Sequence, residues 1–176
     1  MLQIKPATLD HLAEITAIFA HHVRTGTGSF HITPPPLEEM TQKWHEMQKQ
    51  GHPWLVGLDP NTQKVLGFCY ASDFRKKEAF SATLEDTIYV HPQFLHQGLG
   101  QALLGALVNE CRALGFTQLV AVIGDANNRG SIALHQRLGF EHAGVLKQVG
   151  HKHGLWLDIV LMQRALQEQP HDASTP

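Results

Sequence analysis

The stretch YVHPQFLHQGLGQALLGALVNECRALGF, Tyr89 to Phe116, carries the plainest chemical signal in the chain. A strand pattern ends at Val90, a turn follows, and Gly98-Leu99-Gly100 opens a run of helix-forming, largely apolar residues. The amides of Gln97 through Gln101 then point out of a first helical turn, where the macrodipole is positive and glycine lets an oxyanion approach the backbone. A diphosphate fits such a cradle. Two glycines can also serve only to make a tight turn into a packed helix, so the surrounding pattern has to decide. A dinucleotide fold needs a third glycine where Leu103 stands, and an acidic residue about twenty positions on, where TQLVAVI begins. A phosphate-loop nucleotidase needs a Gly-Lys-Ser/Thr ending, which is absent. Both familiar nucleotide motifs are excluded.

Other reactive residue types give weaker signals. The chain has 13 histidines, but His21-His22, His142 and His151-Lys152-His153 do not assemble an HExxH spacing, and HEMQK from His45 ends in Lys49. Surface histidines are expected, and no metal. Cys69 and Cys111 lie in apolar surroundings with no CxxC spacing, which predicts two buried thiols without chemistry. In DFRKKEAF, Arg75, Lys76 and Lys77 form a basic loop, and a guanidinium can hold a carboxylate by two parallel hydrogen bonds.

The elements that must position these residues alternate without repeats. A chain of 176 residues, 43% hydrophobic, can bury one substantial core, so residues 1–166 are expected to form a single domain and 167–176 a flexible tail. The net charge of −2 offers no basic stripe for nucleic acid. The stretch MLQIKPATLDHLAEI lacks a charged segment followed by a continuous apolar one, no apolar run reaches membrane length, and a cytoplasmic protein is expected. Leu2 to Pro6 reads as an edge strand; Leu12, Ile15, Phe19 and Val23 repeat at helical spacing after Thr8, a helix cap. A second helix runs from about Leu37 to a stop at Gly51, and WLVGL and VLGFCYAS flank the Asp59-Pro60-Asn61 turn as a hairpin. TLEDTIYV is a strand, Gly98 to Leu114 a helix, TQLVAVI a strand, and Asn128 to Leu138 a short helix. Strands in FEHAGVLKQVG and LWLDIVLMQRAL close the chain. This order implies an α/β fold with a mixed, mostly antiparallel sheet and helices on both faces.

Several spaced motifs, taken together, resemble a known family. TIYVHP, HQGLGQALL, NNRGSIALHQRLGF and VGHKHGLWLDIVLMQRAL look like a GCN5-related N-acetyltransferase, over about Ile4 to Leu166. TGTGSF, PWLV, Glu85 in LEDTIYV and the pattern Gly150, Lys152, Gly154, Trp156, Asp158 narrow the likeness to the branch that acetylates phosphinothricin and methionine sulfoximine. The resemblance implies a sheet that splays after its central strand, leaving backbone groups of Ile88, Tyr89 and Val90 for the pantetheine arm of acetyl-CoA. A backbone N–H there would polarise the thioester carbonyl. His96, Gln97, Gly98, Leu99, Gly100 and Gln101 would hold the diphosphate, with Asn128 and Ser131 near the pantetheine. Leu95 departs from the family, which carries Arg or Gln there.

The same resemblance assigns the protons and the acceptor. An amine attacks a thioester only when neutral, and Glu85 sits where this branch carries its base. By the two-residue strand period Glu85, Thr87 and Tyr89 share one face. His135 occupies the place of a tyrosine that protonates the departing thiolate in many relatives; a histidine on an apolar stripe can equally be a core residue. Phe30, Arg75, Lys76, Lys77, Glu85, Asp86 and Thr87 would surround the acceptor, with Arg75 on its carboxylate, and Phe74 and Phe80 could wall the pocket. The expected protein is an acetyl-CoA-dependent N-acetyltransferase of a small amino-acid analogue, without a metal, and a homodimer. Alternatives are an acetyltransferase for a polyamine or protein N-terminus, and a non-catalytic acyl-CoA sensor.

Overall fold

A computed structural model describes residues 2–167; the expected flexible tail lies almost wholly outside them. Seven strands form one sheet: β1 (Gln3–Pro6), β2 (Trp54–Leu58), β3 (Val65–Asp73), β4 (Thr83–Val90), β5 (Gln118–Gly124), β6 (Glu141–Lys152) and β7 (Leu155–Ala165). Their order is β1-β2-β3-β4-β5-β7-β6, and every neighbouring pair is antiparallel except β4 and β5.

The strand period sorts the core into two layers. On β3, Phe68 and Tyr70 face one side and join Val56 and the apolar stripe of α1 (Leu12–Thr25), Leu12, Ile15, Phe19 and Val23, with Met40 and Met47 of α2 (Leu37–Gln50). Cys69 and Ala71 face the other side, where Leu99, Leu103, Leu104, Leu107 and Cys111 of α3 (Leu99–Ala113) cover them. Helix α4 (Arg129–Arg137) adds Ile132 and Leu134 to this second layer. Helices therefore cover both faces, as the strand and helix order implied. Thr8 caps a short 3-10 turn, Leu9–His11, rather than α1 itself, which begins one turn later. Both cysteines are free and buried, and burial pushes the Cys111 thiol up to about 12.

Strands β4 and β5 pair only from Thr83↔Gln118 to Asp86↔Ala121, although β4 runs on to Val90 and β5 to Gly124. Beyond that fork β5 follows β7, and Thr87 to Val90 keep their bonds to β3 alone. The sheet splays there.

The segment TGTGSF, between α1 and α2, straps across the fork. Thr27 Oγ1 donates to Asp125 Oδ2 at 2.7 Å, and Lys152 Nζ donates to the Ser29 carbonyl at 2.7 Å. Gly150 makes room for the strap, because a Cβ there would stand 2.2 Å from Phe30 Cε1. Gly154 turns the β6–β7 hairpin with φ 75°, and Asp158 bonds both Lys147 Nζ and the Gln148 amide where β6 bulges against β7. The closing motif is thus an anchor for the strap. Its Trp156 takes no part in that anchor, being 65% exposed against His151.

Gly150→Ala forces the Phe30 ring aside and is expected to cost about 1–3 kcal/mol, as overpacking does. Thermal unfolding should show that the same change, made in a Phe30→Ala background, costs almost nothing more.

Candidate active site

A cleft of about 440 Å³ opens at the fork between β4 and β5. Its walls come from the strap (Gly28, Ser29, Phe30 and His31), from α1 (Phe19 and His22), from β3 (Tyr70 and Ser72), from β4 (Glu85 to Val90) and from α4 (Ser131, Leu134 and His135). Asn128, the cap of α4, and Leu95 also line it.

Glu85 and Asp86 are chain neighbours on opposite faces of β4. Glu85 stands opposite Ser72, beside the Tyr70↔Thr87 pair, and its side chain is half-buried. Burial raises its carboxyl above the ordinary 4.5, and the neighbouring Asp86 charge adds to this, while Arg75 and Lys43 pull it partly back. A carboxylate tuned upward and open to a cleft can accept a proton near neutral pH.

Asp86 faces the other way and is buried. Its Oδ2 lies 3.1 Å from His135 Nε2, and His135 Nδ1 lies 2.7 Å from the Ser131 carbonyl, to which it must donate. His135 is 2% exposed. Desolvation lowers its pKa, but the Asp86 charge and the bonds to Asp86 and Ser131 outweigh it, so the net shift is upward. Both ring nitrogens are engaged. His135 lines the cleft as a ring clamped between β4 and α4, not as a free donor.

The unpaired end of β4 is dressed by a histidine. His22 Nε2 lies 2.7 Å from the Val90 carbonyl and donates to it, and burial lowers its pKa, which favours the neutral ring. Helix α3 opens close by: Gly98 sits at φ 79°, and the first intrahelical bond, from the Ala102 amide to the Gly98 carbonyl, leaves the preceding amides directed outward. Gly100 lies between Leu134 and Val90, at 3.3 and 3.8 Å from where its Cβ would be. A phosphate-bearing thioester with an extended arm fits these features, the helix mouth taking the anion and the free β4 edge taking the arm.

Comparison with known proteins decides the family. Residues 15–140 match the Acetyltransferase (GNAT) family. The chain belongs to the GNAT acetyltransferases. It is 46% identical over 157 residues to a phosphinothricin N-acetyltransferase of Alcaligenes faecalis, covering 89% of this chain and 79% of that one. It is 40% identical over 161 residues to an L-methionine sulfoximine/L-methionine sulfone acetyltransferase of Pseudomonas paraeruginosa, covering 91% and 92%. A GNAT phosphinothricin acetyltransferase from Sinorhizobium meliloti, solved with acetyl-CoA, superposes with a TM-score of 0.92 at 41% identity, over 99% of this chain and 96% of that one.

In this GNAT chain the residues expected at the site fall into three groups. Phe30, Glu85, Asp86, Thr87, Ile88, Tyr89, Val90, Asn128, Ser131 and His135 come together around the cleft. His96, Gln97, Gly98, Gly100 and Gln101 surround the mouth of α3; Leu99 turns its side chain into the core, so only its backbone is offered. Asn128 spends its side-chain oxygen on the Ser131 amide as a helix cap. Arg75, Lys76 and Lys77 are exposed outside the lining, with Arg75 folded onto Phe74, its Nη1 donating to that residue's carbonyl at 2.9 Å. Phe74 and Phe80 pack edge to face on each other in the same loop. The lining residues that no motif marked include His22, half-buried where a surface histidine was expected, Tyr70 of β3 and Lys43 of α2. For His22 the available signal was its place three residues after Phe19 on the buried stripe of α1.

The His135–Asp86 pair makes stability depend on pH with a definite sign. The folded-state pKa of His135 lies above 6.5, so its contribution is complete below that value and is lost as pH rises through the folded pKa. Urea unfolding of wild type and His135→Gln should differ by about 3–5 kcal/mol at acid pH, the usual cost of breaking a buried pair, and the gap should narrow toward alkaline pH.

Proposed function

We infer that this chain is an acetyl-CoA-dependent N-acetyltransferase acting on the α-amino group of a small amino-acid analogue of the phosphinothricin or methionine sulfoximine type. The observation that carries the reading is the half-buried Glu85 carboxylate, raised in pKa, on the strand whose later residues, Thr87 to Val90, are unpaired on the β5 side along the cleft. Acetyl-CoA supplies an acetyl thioester, and the amine attacks it directly in a ternary complex. Glu85 removes the ammonium proton, directly or through one water. The free β4 backbone orients the thioester and polarises its carbonyl, and the mouth of α3 holds the diphosphate. His135 positions α4 and Asp86 at the fork, so a proton for the departing thiolate comes from solvent or from the cleft's other donors.

Glu85→Gln keeps shape and hydrogen bonding but removes basicity, so turnover in a thiol-release assay should fall by about 10²–10⁴ near neutral pH. The deficit should shrink as pH rises, because neutral amine then forms without a base. Acetyl-CoA affinity by calorimetry should stay the same. Near-normal turnover of the variant would overturn the base assignment, and binding of acetyl-CoA with no turnover on a panel of amino-acid analogues would favour a sensor.

The reading also includes a cytoplasmic homodimer. Its support is an apolar surface on the edge hairpin, where Val145, Leu146, Val149, Leu155 and Trp156 are all exposed. Solution scattering at micromolar concentration should give a dimeric mass, and Trp156→Glu should shift it toward the monomer.

A further inference from the structure

Among the described residues lining the cleft there is a single Lys or Arg, and it comes from a helix that no motif marked. Lys43 stands three residues after Met40 and four before Met47, both buried, so its stem follows the packed face of α2. Its ammonium reaches the sheet: Nζ donates to Tyr70 Oη at 2.6 Å and lies 4.2 Å from the ring centre. Because that hydroxyl is accepting, its own proton is directed elsewhere. Two donors therefore converge at one spot.

That spot has a fixed relation to the base. Tyr70 pairs with Thr87, and Ser72 pairs with Glu85, so Tyr70 and Glu85 are diagonal neighbours on one face of the sheet. Diagonal positions stand about 7–8 Å apart at the backbone, close enough for long side chains to bracket one small molecule. Lys43 also lowers the Glu85 carboxyl through its charge, which places the two within electrostatic reach. The ion pairs among the described residues leave Lys43 without a carboxylate. A half-buried ammonium held on a phenol and lacking a counter-ion is well suited to bind an anion from outside.

We propose that Lys43, with Tyr70, seats the α-carboxylate of the acceptor, opposite the ammonium group that faces Glu85. The assignment rests on the amino-acid acetyltransferase reading and deepens it. An α-amino acid presents one cation and one anion on a single carbon. The cleft answers with Glu85 for the first and Lys43 for the second, both on the α1–α2 face of the sheet, and Arg75 is left to the loop outside.

The test compares methionine sulfoximine with the corresponding amine that lacks the carboxylate. Wild type should favour the carboxylate-bearing acceptor in kcat/KM. Lys43→Met should raise its KM roughly 10- to 100-fold, the loss expected for a charge-assisted hydrogen bond, with kcat little changed. The KM of the descarboxy amine should not move, and Lys43→Arg should recover part of the loss. Lys43→Gln, which keeps a donor to Tyr70 but no charge, should show the same split; an unchanged acetyl-CoA dissociation constant establishes that each variant is folded. Equal KM changes for both amines, or none for either, would overturn the carboxylate assignment while leaving the acetyltransferase reading intact. Absence of wild-type turnover on the amino acid would overturn both.

Discussion

Everything at the site depends on a short length of β4 backbone that is left without its neighbour. Interior sheet strands normally satisfy both edges, and an unpaired edge has to be held open by something. Here β5 is drawn away by β7, to which it stays paired along its full length from Gln118↔Ala165 to Gly124↔Ile159. The fork itself is wedged by Asp86, the last β4 residue paired with β5, whose carboxylate bonds His135 of α4. Val90, at the open end, has its carbonyl taken by His22, which steadies the free edge before any substrate arrives.

The strap from Gly26 to His31 is the second consequence of the fork. Once the strands part, a gap between β4 and β5 exposes the sheet interior, and the chain covers it with a segment pinned at three points. Thr27 binds Asp125, the Ser29 carbonyl takes Lys152, and the Phe30 ring sits where any side chain at Gly150 would be. Lys152 is buried and its pKa is lowered by desolvation, so its one carbonyl bond matters to it as much as to the strap. The spaced glycines, lysine and aspartate near the C-terminal end, which narrowed the family likeness, fold into the hairpin that holds this cover in place.

The sequence showed the succession of strands and helices, the two helix layers and the helix mouth at Gly98 because each of these is written in local periodicity or glycine placement. It showed Glu85 only through resemblance, since a carboxylate on a strand carries no mark of burial. Lys43 and His22 escaped for a related reason: both lie on amphipathic helices where a polar residue at the margin of the apolar stripe reads as ordinary surface. Only the packing of α1 and α2 against β3 and β4 turns them inward. Arg75 differs in the opposite direction. A basic residue close in sequence to β4 reads as a ligand, and the turn between β3 and β4 folds it back onto Phe74, outside the cleft lining.

The two adjacent carboxylates show how one strand separates structure from chemistry. The pleat sends Glu85 toward α1 and α2 and Asp86 toward α4, so a single step along the chain changes every neighbour. Asp86 meets an imidazole whose other nitrogen is already fixed on Ser131, so both ring nitrogens are engaged within the protein although both residues border the cleft. Glu85 meets a half-open cleft, and among the described residues it has neither a hydrogen bond nor an ion pair. Repulsion from Asp86 adds to burial in raising its proton affinity. The buried acid held beside His135 therefore also tunes the open one, its charge adding to burial in raising the Glu85 carboxyl.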